Sequence, residues 1–168
     1  GNVDAWILEK LLKRSWSFWQ TPNGEKNTNM QQDFRGHIVV LADEFTYSDG
    51  ETFTAGIKAL ELGTVIGKQT AGAGVWLSGR NRVVDNGIAR VAEFPVYAMD
   101  GRWITEGTGI KPDIRVDNLP FETFQGRDAQ LERAIKYLQE KLKDEPIPGY
   151  QGLPLPNDTS VADDIIKG

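Results

Sequence analysis

Ile38-Val39-Val40-Leu41-Ala42, then Phe45-Thr46-Tyr47-Ser48-Asp49-Gly50-Glu51, then the run from Thr52 to Leu62 decide the fold of this chain. The first run is continuously apolar and reads as a buried strand. The last reads as a helix, so Ser48 falls at a strand-to-helix turn. Backbone N–H groups at the start of a helix point outward and carry partial positive charge, which favours a developing anion. A serine placed there can attack a carbonyl if a base is near. The same residues also read more plainly. Ser48 and Glu51 form S-x-x-E, the capping box that starts many ordinary helices.

Working outward, Gly63 follows the helix where a C-cap glycine belongs, and Thr64-Val65-Ile66-Gly67 is a second apolar strand. Strand, helix and strand make a βαβ-like unit of an α/β domain. Thr70-Ala71-Gly72-Ala73-Gly74 reads as a flexible turn that lets a ligand backbone approach closely. It lacks the Gly-Lys-Ser/Thr of a phosphate loop. Upstream, Ile7, Leu8, Leu11, Leu12, Trp16 and Trp19 recur at helical spacing, with Asp4 as the expected cap. Thr21 to Gly36 reads as a long polar loop. Downstream, Arg82–Val84, Ile88–Ala92 and Phe94–Tyr97 read as short strands, with Asp85-Asn86-Gly87 as a hairpin turn. Ile114-Arg115-Val116 is a further strand, and Asp128 to Lys143 a helix with Leu131, Ala134, Ile135, Leu138 and Leu142 on one face. The organisation is one core over residues 1–144 and a Pro/Gly-rich tail over 145–168, expected to be extended or mobile.

With 168 residues, 39% of them hydrophobic and 26% charged, the chain can bury a core of ordinary size. A net charge of −5, with no basic cluster interleaved with aromatics, argues against nucleic acid as a partner. The absence of cysteine excludes disulfides and thiolate catalysis. No run approaches the about 20 apolar residues of a membrane span. The opening residues carry no signal peptide and chance directly into a helix, which reads as a piece of a larger protein; nothing selects a compartment.

A serine nucleophile needs a base and an orienting group. The single histidine, His37, begins the strand whose far end leads to Ser48. Five residues of strand span roughly 16 Å, so it is expected at the opposite edge of the sheet. One histidine and no cysteine argue against a metal site, and Asp43/Glu44 and Asp163/Asp164 read as solvated charges. Glu106, amid Trp103-Ile104-Thr105-Glu106-Gly107-Thr108-Gly109, reads on pattern alone as a turn residue.

Taken together, Glu44 to Glu51, Leu62-Gly63-Thr64-Val65-Ile66-Gly67-Lys68-Gln69-Thr70, Glu106-Gly107-x-Gly109-Ile110-x-Pro112-Asp113 and Gly126-x-Asp128-x-Gln130-Leu131 resemble the serine peptidases of the C-terminal-processing and tricorn type. The opening Gly1-Asn2 fits the same pattern. The resemblance implies a ClpP/crotonase-like layered α/β core, of which this chain is the C-terminal part. Processing proteases use a Ser–Lys dyad; Ala73 stands in the position of that lysine, so the tricorn design is implied instead. That design makes Ser48 the nucleophile and Glu106 the carboxylate that orients a histidine base through a second serine. The base lies in an upstream segment. The Asp49 amide and Gly1 are the implied oxyanion donors. A peptide or unfolded protein is the implied substrate, added as a strand beside Thr70–Val75. No metal or organic cofactor is implied, and a homo-oligomer is the expected assembly. The alternatives are a non-catalytic peptide-binding or assembly module, with Ser48 only a cap, and, less favoured, a crotonase-type acyl-CoA enzyme.

Overall fold

The structure is a computed structural model and describes residues 1–150 and 152. In chain order the elements are α1 (Asp4–Leu11), β1 (Phe18–Gln20), β2 (Lys26–Thr28), β3 (Val39–Ala42), α2 (Asp49–Ala59) and β4 (Thr64–Gly67). They are followed by β5 (Trp76–Ser78), β6 (Val91–Phe94), β7 (Ile114–Arg115), α3 (Pro120–Phe124) and α4 (Ala129–Asp144).

The centre is a parallel sheet in the order β3-β4-β7, with Val40 opposite Val65 and Ile66 opposite Ile114. Residues adjacent along a strand point to opposite faces. Val65 packs in the core cluster with Ala42, Ile57 and Leu62, against which Leu8, Leu11, Val40 and Phe53 also pack. Thr64, its neighbour, meets the hydroxyl of Tyr137 on α4 at 2.8 Å. Helices α2 and α4 therefore cover opposite faces of β4, the layered α/β arrangement. Both faces being covered explains why the apolar runs lack alternation. Full burial of Ile57, Val65 and Ile66 contributes about 2 kcal/mol each.

The register of the sheet is pinned by Asp113. Its carboxylate accepts from Val65 N–H (2.8 Å) and pairs with Lys58 (2.6 Å), tying β7 to β4 and to α2. Burial acts to raise this carboxyl, but the Lys58 ammonium and the Val65 N–H outweigh it and hold it below its ordinary value.

Several expectations are corrected. Helix α1 ends at Leu11, so Trp16 lies beyond it and Trp19 sits in β1, paired with Asn27 of β2. Their helical spacing reflects exposed aromatics on a hairpin, which a periodicity count cannot separate from a helix face. Asp4 does not cap α1; it is the first helical residue, and Val3 precedes it without a side-chain bond. The stretch from Thr21 to Gly36 contains β2. Helix α2 begins at Asp49, not Thr52. It ends in a Schellman turn in which Leu62 N–H reaches Ile57 O and Glu61 N–H reaches Lys58 O. The left-handed position there is Glu61 (φ 53°), not Gly63. Gly63 is required for another reason: a Cβ on it would lie 2.5 Å from the Ile38 carbonyl oxygen.

Trp76–Ser78, not anticipated as a strand, pairs with β6, which takes Val91 and Ala92 from the expected Ile88–Ala92 run and Phe94 from the next; the Arg82–Val84 run makes only one bridge, Arg82 to Ile88. The short helix α3 was also not expected. Leu131, Ile135 and Leu142 on α4 are partly exposed, with Ala134 and Gln130 the buried positions. Most of the tail, Asp163/Asp164 included, lies outside the described residues. Among the described residues no helix is long and apolar enough to cross a membrane.

Candidate active site

The turn between β3 and α2 is not an ordinary cap. Ser48 adopts φ 54°, ψ −124°, a combination that L-residues avoid and that costs of order 1–3 kcal/mol. Its side chain makes no cap hydrogen bond. In a capping box Glu51 would reach back to the Ser48 N–H. Here that N–H donates to the Ala73 carbonyl at 3.1 Å, and the Glu51 side chain turns inward. The S-x-x-E pattern is present, but neither of its bonds is made.

Glu51 is fully buried, and its carboxylate accepts from Thr70 Oγ1 (2.5 Å), Gly72 N–H (2.7 Å) and Ala73 N–H (2.8 Å). Its place in the first turn of α2 favours negative charge. The residue was read from sequence as half of a cap. A better signal was available: Glu51, Thr54 and Ile57 recur every third residue, so a carboxylate stands on the buried stripe of α2.

The segment Thr70–Gly74 is correspondingly not a flexible turn. Thr70 N–H donates to Ile110 O, and Ala71 N–H to Thr46 O. Gly74 and Val75 N–H both donate to Glu106 Oε2 at 2.9 Å. With the two bonds to Glu51, every N–H from Thr70 to Val75 is taken within the chain. A peptide laid beside this segment finds carbonyl acceptors only, which narrows the expected strand addition to bonds that the substrate donates. Gly72 needs its φ of 80°, and a Cβ on Gly74 would overlap Thr105 Oγ1.

Glu106 is thus brought toward Ser48 through the loop. Ser48 and Glu106 line one cavity of about 260 Å³ with Tyr47, Ala73, Val75, Leu77 and Ala92. On the other side of Ser48, Asp49 opens α2. Its backbone N–H has no partner among the described residues, and its carboxylate accepts from Val3 N–H at 2.9 Å. A Cβ on Gly1 would lie 2.7 Å from Asp49 Oδ2, so the structure places Gly1 beside Asp49. Asp4 is buried close by. Burial, with the Asp49 carboxylate adding to it, raises the Asp4 carboxyl above its ordinary value.

The side chains of His37 and Lys68 are engaged elsewhere. His37 donates from Nε2 to the Glu145 carbonyl at 2.8 Å, before the start of β3, whereas Ser48 follows its end. Lys68 pairs with Glu44 (2.6 Å) and Asp117 (3.2 Å), which raise its pKa and hold it protonated. Among the described residues no group of three or more His, Cys, Asp or Glu is arranged to hold a metal ion.

Ser48 is thus a strained serine at a helix start, free of capping and sharing a cavity with a carboxylate, with no base beside it among the described residues. The model of Peptidase family S41 matches residues 1–116. The chain belongs to this family. Tricorn protease homolog 1 of Streptomyces coelicolor is 34% identical over 155 residues, covering 92% of this chain and 14% of the relative. Tricorn protease of Thermoplasma acidophilum is 29% identical over 143 residues, covering 85% of this chain and 13% of the relative. The crystal structure of the tricorn protease superposes with a TM-score of 0.79 at 29% identity, over 85% of this chain and 14% of that one. The chain thus spans about one-seventh of the length of the tricorn relatives it matches. Its S41 membership agrees with the tricorn-type pattern of residues read from sequence.

Proposed function

We propose that this chain carries the nucleophile of a tricorn-like serine peptidase and hydrolyses peptide bonds together with a histidine supplied by an upstream segment. The observation that carries the reading is the backbone of Ser48, strained at φ 54° and released from any capping role. Ser48 Oγ attacks the scissile carbonyl carbon as the histidine takes its proton. The oxyanion of the tetrahedral intermediate is met by the free Asp49 N–H and by Gly1. The amine leaves with the proton, and water then hydrolyses the acyl-enzyme by the same route in reverse. Glu106 orients the histidine through a second serine. Its Oε2 is held by two amides, which leaves Oε1 to accept that contact. The substrate is a peptide or unfolded protein, held beside Thr70–Val75 by its own N–H groups, and the assembly is a homo-oligomer.

Intact-mass labelling with a fluorophosphonate tests the reading. Residues 1–168 are expected to stay unlabelled, and a polypeptide extended upstream through the histidine to be labelled at Ser48. No labelling of either would move the assignment to a non-catalytic binding module.

A further inference from the structure

We infer that Glu51 is a positioning residue that holds the peptide unit of Ser48 from both sides; the inference rests on Ser48 being the nucleophile. The hydrogen bonds form a closed ring. Glu51 N–H donates to the Ser48 carbonyl (2.9 Å), Ser48 N–H donates to the Ala73 carbonyl (3.1 Å), and Ala73 N–H donates to Glu51 Oε2 (2.8 Å). The Ser48 carbonyl is thereby met by Glu51 directly, and the Ser48 N–H is met by Ala73, whose own N–H Glu51 holds. A residue in a sparsely populated conformation persists only where its surroundings over-determine it, and this ring does so. The same carboxylate reaches beyond the ring. Oε1 accepts from Gly72 N–H and from Thr70 Oγ1, and Thr70 Oγ1 in turn accepts from Ile110 N–H at 2.7 Å. Two residues past Gly72, the Gly74 N–H is held by Glu106. Nucleophile and orienting carboxylate are therefore spaced by one short segment, and Glu51 fixes the end of it nearer to Ser48.

Only a carboxylate completes this arrangement. Three donors converge on the Glu51 side chain, which is 0% exposed. An ionised carboxylate only accepts, whereas the NH2 of a glutamine must face at least one of those donors. Glu51→Gln keeps the volume and breaks the ring.

Two readouts test the inference. In residues 1–168, amide hydrogen exchange is expected to accelerate roughly tenfold or more at Ser48, Gly72 and Ala73 in Glu51→Gln, with Val65 and Ile66 unchanged. Wild-type exchange at those three amides overturns it. In the polypeptide extended through the histidine, kcat is expected to fall about a hundredfold with KM nearly constant, because a misplaced nucleophile slows chemistry and leaves substrate contacts in place. A rise in KM with kcat unchanged overturns the inference. Should Glu51→Gln not fold, Thr70→Val and Thr70→Ser replace it. Faster exchange at Ser48 in the valine variant alone supports the ring, and equal behaviour of the two overturns it. Phosphonate reactivity separates the layers. A wild-type Ser48 that is inert overturns the peptidase reading and the positioning role with it. A Ser48 equally reactive before and after Glu51→Gln overturns the positioning role alone.

Discussion

Thr70–Gly74 and Asp85–Gly87 look alike as stretches of sequence: short, glycine-bearing turns between strands. Their surroundings differ completely. The bonds of the second turn are its own: Gly87 N–H to Asp85 Oδ1, Asn86 N–H to Val83 O and Val83 N–H to Gly87 O. Val84 beside it is fully exposed, and Asn86 carries the positive φ of 64°. The first turn borrows its bonds from Glu51 on α2, Glu106 after β6, Ile110 before β7 and Thr46 before α2. Hydrogen bonds to charged acceptors contribute about 1.5–3 kcal/mol each, so two carboxylates holding five donors between Thr70 and Val75 fix the first turn far more firmly than a solvated hairpin holds itself. A glycine-rich turn is mobile or rigid according to what reaches it from elsewhere in the chain.

The largest expected effect breaks the comparison if it fails. In the polypeptide extended through the histidine, Ser48→Ala is expected to lower peptide hydrolysis by roughly 10⁴-fold or more, as removal of a triad nucleophile does. No substitution in Asp85–Gly87 should approach this, and a hydrolysis assay on both variants decides it. Next comes the cost of a methyl group. Gly74→Ala must push Thr105 aside and is expected to destabilise by about 3 kcal/mol in urea unfolding. Gly87→Ala, which meets only the Asp85 and Val83 side chains, is expected to cost less than about 1 kcal/mol. Equal costs would remove the distinction between the turns.

A smaller effect concerns the charge beside Ser48. The Asp4 carboxyl is raised above its ordinary 3.8, so its ionised form weakens the fold at neutral pH. Asp4→Asn is therefore expected to raise the unfolding midpoint at pH 7. That gain should fade as pH falls through the raised pKa and be absent below 3.8, where both states bind the proton. Thermal melts across that range read the sign directly. The smallest change is Asn86→Gly, expected to alter stability by less than about 0.5 kcal/mol and to leave Ser48 labelling untouched, since asparagine already tolerates a left-handed backbone.

The parts of the fold that were legible in the sequence are those governed by local pattern. The strands β3, β4 and β7, the helix α4, and the serine between β3 and α2 follow from apolar runs, periodicity and turn residues. What escaped depends on contacts distant in sequence. Trp76–Ser78 is a strand because β6 pairs with it. Trp19 is in a hairpin because Asn27 faces it. Glu51 fits two local rules at once, a cap and a buried stripe, and only the position of Gly72 and Ala73 chooses between them. Of the site, Ser48 and Glu106 could be read from the order of motifs, whereas the rigidity of the segment joining them could not.

Helix α2 is entered through Ser48 and left through Glu61, two non-glycine residues with positive φ. Each end is locked into a turn of its own, and Glu51, Thr54 and Ile57 must all face inward between them. Deleting or inserting one residue would rotate one end against the other by about 100° and lift the helix off its own lock. The helix is a spacer of fixed length: side chains along its outer face are free to vary, and the number of residues it contains is not.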